Sequence, residues 1–156
     1  MSTPSTDRIE RQIHIRAPRA KVWHALTDAP TFGQWFGAKL ADQQFREGER
    51  ARGPITICNF EHVMFDVVVE RLQPQTRFVY RWHPYAVEPQ RDYAGETPTR
   101  VEFTLAEVDD GTLLTVVESG FDQLPSDRRL DAFRANSGGW EVQLRNIQRH
   151  ASPVDA

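Results

Sequence analysis

Apolar residues recur at every second position along most of this chain, and at every third or fourth near its end. In Arg8–Arg16, Ile9, Ile13 and Ile15 alternate with Glu10, Gln12 and His14, which predicts a strand with one wet face. Ala17-Pro18 ends it. Pro18 suits a first helical turn, and Val22, Trp23, Ala25 and Leu26 give the helix that follows a short apolar face. Thr27-Asp28-Ala29-Pro30 stops that helix, and Thr31–Phe36 forms a second short helical turn carrying Phe32, Trp35 and Phe36. With Trp23, these aromatics are expected to plug one end of a sheet. Trp35 and Phe36 also sit where a cavity mouth would meet the next strand.

The alternation then resumes. Ala38–Phe45 and Ala51–Asn59 read as strands around Arg46-Glu47-Gly48-Glu49, with Gly53-Pro54 marking a bulge or an edge. Phe60–Leu72 places Phe65, Val67 and Val69 on one face. Arg77–His83 places Phe78, Tyr80 and Trp82 on one face, enough contact area for a thick core or for an apolar pocket wall. Pro84–Thr97 is a long loop, of the kind that is often a lid or mobile. Thr99–Val108 turns Val101, Phe103 and Leu105 inward, Asp109-Asp110-Gly111 makes a hairpin turn, and Thr112–Ser119 returns. If Leu114 and Val116 face the core, so does Glu118. A carboxylate there needs partners or a solvated cavity, unless it lies exposed at a frayed strand end.

The last segment, Pro125–Arg149, changes period. Leu130, Phe133, Ser137, Trp140, Leu144 and Ile147 make one apolar stripe, with Ser126 at the N-cap position. A helix of this length is about 33 Å long, enough to cross a small domain. Asn136-Ser137-Gly138-Gly139 breaks its pattern at a cost of about 1 kcal/mol per glycine. The break allows close helix–sheet packing, a kink, or room for a ligand. Arg128-Arg129 reads as a solvated face.

Composition adds bounds. At 156 residues, 39% hydrophobic and 26% charged, the chain is one ordinary domain. Residues 8–150 are expected to form it, with residues 1–7 and 151–156 as disordered tails. A net charge of −3 speaks against nucleic acid, which asks for a basic face. The lone Cys58 leaves no internal disulfide and fits a reducing cytoplasm. No apolar run approaches the roughly 20 residues of a membrane span. His14, His24, His62, His83 and His150 form no metal-ligand spacing, and no phosphate loop or nucleophile motif is present, so neither metal nor cofactor is expected.

The stretch Ile15-Arg16-Ala17-Pro18-Arg19-Ala20-Lys21-Val22-Trp23-His24-Ala25-Leu26-Thr27-Asp28, followed by Trp35-Phe36, resembles the opening of the START-like superfamily of polyketide cyclases, dehydrases and lipid-transport proteins. Phe45–Glu49, Gly111–Thr115 leading to Glu118–Phe121, and Gly138-Gly139-Trp140 with Leu144 and Ile147 resemble the branch of the C-terminal domain of the activator of heat-shock protein 90 ATPase. The resemblance covers roughly residues 8–150. It implies an α+β helix-grip fold (START-like, birch-pollen-allergen-like), with six or seven antiparallel strands curved around the long C-terminal helix and an inner cavity.

The preferred reading is a non-enzymatic binder of a lipophilic or aromatic small molecule, monomeric or weakly dimeric. Trp35, Phe36, Phe65, Tyr80, Trp82, Phe103, Phe133 and Trp140 are the candidate lining, Gly138 the source of volume with Gly139, and Glu118 the polar handle. One alternative is a cyclase- or hydrolase-type enzyme using Glu118 as acid or base. Another is a chaperone-binding module, expected less because a chain of this length has no room for the further N-terminal domain of the eukaryotic activators.

Overall fold

The computed structural model describes residues 7–152. The alternating stretches form strands β1 (Arg8–Ile15), β2 (Arg50–Pro54), β3 (Met64–Gln73), β4 (Arg77–Trp82), β5 (Thr99–Val108) and β6 (Gly111–Ser119). They make one antiparallel sheet of six strands in the order β1-β6-β5-β4-β3-β2. Helices α1 (Arg19–Thr27) and α2 (Ala29–Phe36) follow β1. The long helix α3 (Arg129–Ala151) lies across the inner face. Asp28 starts α2, accepting from the Thr31 backbone N–H at 3.2 Å. A bulge at Glu70 shifts the register between β3 and β4, which strengthens the local twist.

Several expectations change. Ala38–Phe45 is not a strand; only Ala38 makes a bridge, to Ile55. Leu40 and Phe45 drop into the core instead of alternating, and the Lys39 carbonyl lies 2.0 Å from where a Cβ on Gly53 would stand. Gly53 is therefore needed for that close crossing, and β2 ends at Pro54 on the sheet edge. Residues 56–63 turn rather than extend, with Phe60 and Val63 N–H bonding to the Ile57 and Phe60 carbonyls. Helix α3 begins at Arg129, so Ser126 is not its cap, and Leu130 is exposed.

Arg128 is not a solvated residue. It is buried, donates to Glu96 and to the Pro84 and Tyr85 carbonyls, and lies 4.7 Å from the centre of the Tyr93 ring. The expected tails at residues 1–6 and 153–156 lie outside the described residues. Asp7 and Ala151, also placed in those tails, belong to the folded part. The Asp7 carbonyl accepts from Gly120, and Ala151 closes α3 as a buried residue, because the apolar stripe runs one turn further than Ile147.

The core is a run of aromatic rings. Phe32 stacks on Phe36, Phe45 tilts against Phe78, Phe78 stacks on Phe103, and Phe103 meets the edge of Trp140. Phe65, Tyr80 and Phe103 are almost fully buried within this run.

Candidate functional site: a carboxylate under a pair of indoles

Glu118 is a fully buried carboxylate, with no solvent exposure. The alternation of β6 puts its side chain on the face of Leu114 and Val116, opposite Val101 of β5. Four neutral groups donate to it. Trp82 Nε1 and Thr99 Oγ1 reach Oε2 at 2.8 and 2.6 Å; Asn136 Nδ2 and Trp140 Nε1 reach Oε1 at 2.8 Å each. The carboxylate thus ties β4, β5, β6 and α3 together. Its acceptor sites are filled without any cation. Burial pushes its pKa up, while the four hydrogen bonds pull the other way and offset this only in part. The buried Tyr80 hydroxyl has no hydrogen-bond partner among the described residues, and burial, with Glu118 nearby, drives its pKa well above the usual tyrosine value.

The indoles of Trp82 and Trp140 stack at 5.8 Å and 29°. Their far side forms the base of a cleft of about 280 Å³ between α3, the end of α2, residues 55–63 and the start of the loop after β4. Phe36, Ile57, Phe60, Tyr85, Asn136 and Gly139 are among its walls. Ile57, Phe60 and Tyr85 are 40–44% exposed, so the rim is a patch of large apolar side chains facing solvent. A Cβ on Gly138 or Gly139 would meet nothing within 4 Å, which excludes close packing as the reason for the pair. Gly139 opens into the cleft; Gly138 faces out.

Of the candidate lining residues, the structure brings Phe36, Trp82 and Trp140 to this cleft, with Glu118 directly behind them. Phe65, Tyr80 and Phe103 are core residues. Trp35 is buried in the helical plug, its Nε1 donating to the Ala25 carbonyl at 2.7 Å. Phe133 packs edge-on against Phe121, away from the cleft. Sequence reasoning missed Ile55, Ile57, Phe60, Val63, Tyr85 and Val87, since turn and loop residues carry no periodic signal. It also missed Asn136 as a site residue, although the Asn-Ser-Gly-Gly break in the helical pattern pointed there.

A second hollow, of about 700 Å³, runs between the outer face of β3 and β4 and the loop 84–98. Its arginines are already paired, Arg50 with Asp66, Arg81 with Glu70 and Arg91 with Asp127. Among the described residues, no group of three or more His, Cys, Asp and Glu is placed to hold a metal ion. Nor is any helix long and apolar enough to cross a membrane.

A curved antiparallel sheet gripping one long C-terminal helix, with two short helices after the first strand, makes this a protein of helix-grip, START-like fold. Residues 16–152 match the family described as activator of Hsp90 ATPase homolog 1-like protein, and the chain belongs to that family. No curated protein matches the sequence. Among solved structures, DynU16, a protein of the dynemicin biosynthetic locus, is 24% identical, with a TM-score of 0.69 over 94% of this chain. The chain spans 47% of DynU16. MLL2253 from Mesorhizobium loti is 23% identical, with a TM-score of 0.69, covering 91% of this chain and 94% of that one. The Aha1 dimer from Colwellia psychrerythraea, solved in solution, is 17% identical with a TM-score of 0.69, covering 93% and 96%. At these identities the likeness is one of fold.

Proposed function

We propose that this protein binds a lipophilic, aromatic small molecule in the cleft between α3, the end of α2 and the turns before β3. The observation that carries this reading is the cleft itself. It is a concave, mostly apolar site whose base is a stacked indole pair and whose rim leaves Ile57, Phe60 and Tyr85 exposed. Burying those rim side chains under a ligand is favourable by about 25 cal/mol per Å² of apolar surface. Open space at Gly139 lets a flat ring approach the α3 backbone.

The arrangement lends little to a catalytic role for Glu118. Its acceptor sites are occupied, and Trp82, Asn136 and Trp140 stand between it and the cleft. The family description is what supports a chaperone as partner, and the cleft adds nothing specific to it.

The test is a protein-observed NMR titration with a panel of neutral aromatic and lipophilic compounds. We expect shifts concentrated at Ile57, Trp82, Gly139 and Trp140, including both indole N–H signals. A panel that moves none of these signals would sink the proposal.

A further inference from the structure

Three features of the cleft bear on what kind of molecule fits it. The first is charge. None of its lining residues is Lys, Arg, His, Asp or Glu. An anionic group entering it would lose water and find no cation in return, which is costly in an apolar site. The second lies one hydrogen bond deeper. Glu118 is held by two indole N–H groups, a hydroxyl and an amide, and no Arg, Lys or His forms an ion pair with it among the described residues. The group behind the indoles is therefore acidic and balanced by neutral donors alone, so the wall at the back of the cleft offers an anion no positive charge either. An anion would be left unpaired on every side of the cleft.

The third feature is Asn136. A carboxylate only accepts hydrogen bonds, so the side-chain amide must turn its NH₂ group to Glu118 Oε1, where Nδ2 lies at 2.8 Å. That fixes the other end. Oδ1 is an acceptor with no donor among the described residues, on a half-buried side chain that lines the cleft. Donating to a carboxylate also polarises the amide and makes Oδ1 a stronger acceptor. The other amide of the lining is spent: Gln143 Nε2 donates to the Phe36 carbonyl, and its Oε1 accepts from Asn146.

We infer that the ligand is an uncharged aromatic compound bearing a hydroxyl or N–H group, which it donates to Asn136 Oδ1 while its ring lies against Trp82 and Trp140. This rests on the binding reading above and narrows it to neutral phenol-like or N–H heteroaromatic compounds. Carboxylate-bearing ligands such as fatty acids are excluded. Asn136 is the specificity-determining residue, and Glu118 is a positioning residue that sets which way the amide faces.

The experiment uses three probes of one shape, 2-naphthol, 2-methoxynaphthalene and 2-naphthoate, titrated calorimetrically at neutral pH. The wild-type protein is expected to bind 2-naphthol about tenfold more tightly than its methyl ether, the usual scale of one hydrogen bond in a desolvated site. The naphthoate is expected to bind at least as weakly as the ether. In Asn136→Leu the ratio of naphthol to ether affinity should fall to near one, since the hydrogen bond that separates the two is gone. The wild-type series needs no variant, so a poorly folding Asn136→Leu leaves the inference testable. Equal binding of naphthol and ether, or tightest binding of the naphthoate, overturns the inference and leaves the binding reading standing. A preference that persists in a folded Asn136→Leu overturns the role of Asn136. Failure of all three probes to bind overturns both.

Discussion

Replacing Glu118 by glutamine exchanges one acceptor oxygen for a donor. On the Oε2 side Thr99 can turn its hydroxyl, and on the Oε1 side Asn136 can flip its amide. Each side also holds an indole N–H, from Trp82 or Trp140, that has no acceptor to offer. Glu118→Gln is expected to cost about 1–3 kcal/mol by leaving one buried donor unsatisfied, measured by urea denaturation. The same residue sets a pH dependence. Burial raises its native pKa above the ordinary glutamate value. The native state therefore holds more protons than the unfolded chain between the two values, and stability falls as pH rises through that window. Wild type should show this slope and Glu118→Gln should lack it. Identical slopes in both would remove Glu118 as its source.

At the scale of elements, α3 carries the most legible signal and the most instructive misreading. Its apolar stripe at Trp140, Leu144 and Ile147 is buried as the spacing indicates. Leu130 fits the same spacing yet is exposed, because Ser126–Arg128 form a turn and the helix starts late. Periodicity reports which side chains share a face, but not whether the sheet extends far enough to cover it. Strands β5 and β6 were legible because a tight turn and strict alternation agree. Ala38–Phe45 was not, because Leu40 and Phe45 are anchors of an irregular crossing that happens to look alternating. The glycine pair offers a separation of roles. Gly138→Ala and Gly139→Ala should each stabilise the protein by about 0.5–1 kcal/mol, since alanine is the better helix former and neither Cβ meets an obstacle. Only Gly139→Ala projects into the cleft, so it alone should weaken aromatic binding. Thermal unfolding paired with a binding titration on both variants checks this, and equal binding losses would count against the cleft as the site.

For the molecule as a whole, the site depends on the loop after β4 being held to the start of α3. Arg128 does this through Glu96, the Pro84 and Tyr85 carbonyls and the Tyr93 ring, and Arg91 reinforces it with Asp127 at 2.9 Å. The loop brings Tyr85 and Val87 to the cleft wall. No sequence pattern announced this, because two adjacent arginines read as surface until the partners of the buried one, more than 30 residues away in sequence, are known. Arg128→Ala leaves the mostly covered Glu96 side chain with only the longer Arg91 contact at 3.3 Å. It should cost about 2–3 kcal/mol and speed amide hydrogen exchange across residues 84–97. Unchanged exchange there would mean the loop is held by something other than Arg128.

The indole pair has an optical consequence. Trp82 and Trp140 are two of the four tryptophans, and they lie close and nearly parallel with both N–H bonds aimed at one carboxylate. Two chromophores in that arrangement share their excited states, so the near-ultraviolet circular dichroism of the protein should carry a coupled tryptophan band. The base of the cleft is thus an intrinsic dye. A ring seated on the indoles, or a proton arriving on Glu118, should alter that near-ultraviolet band, so either event can be followed without a label.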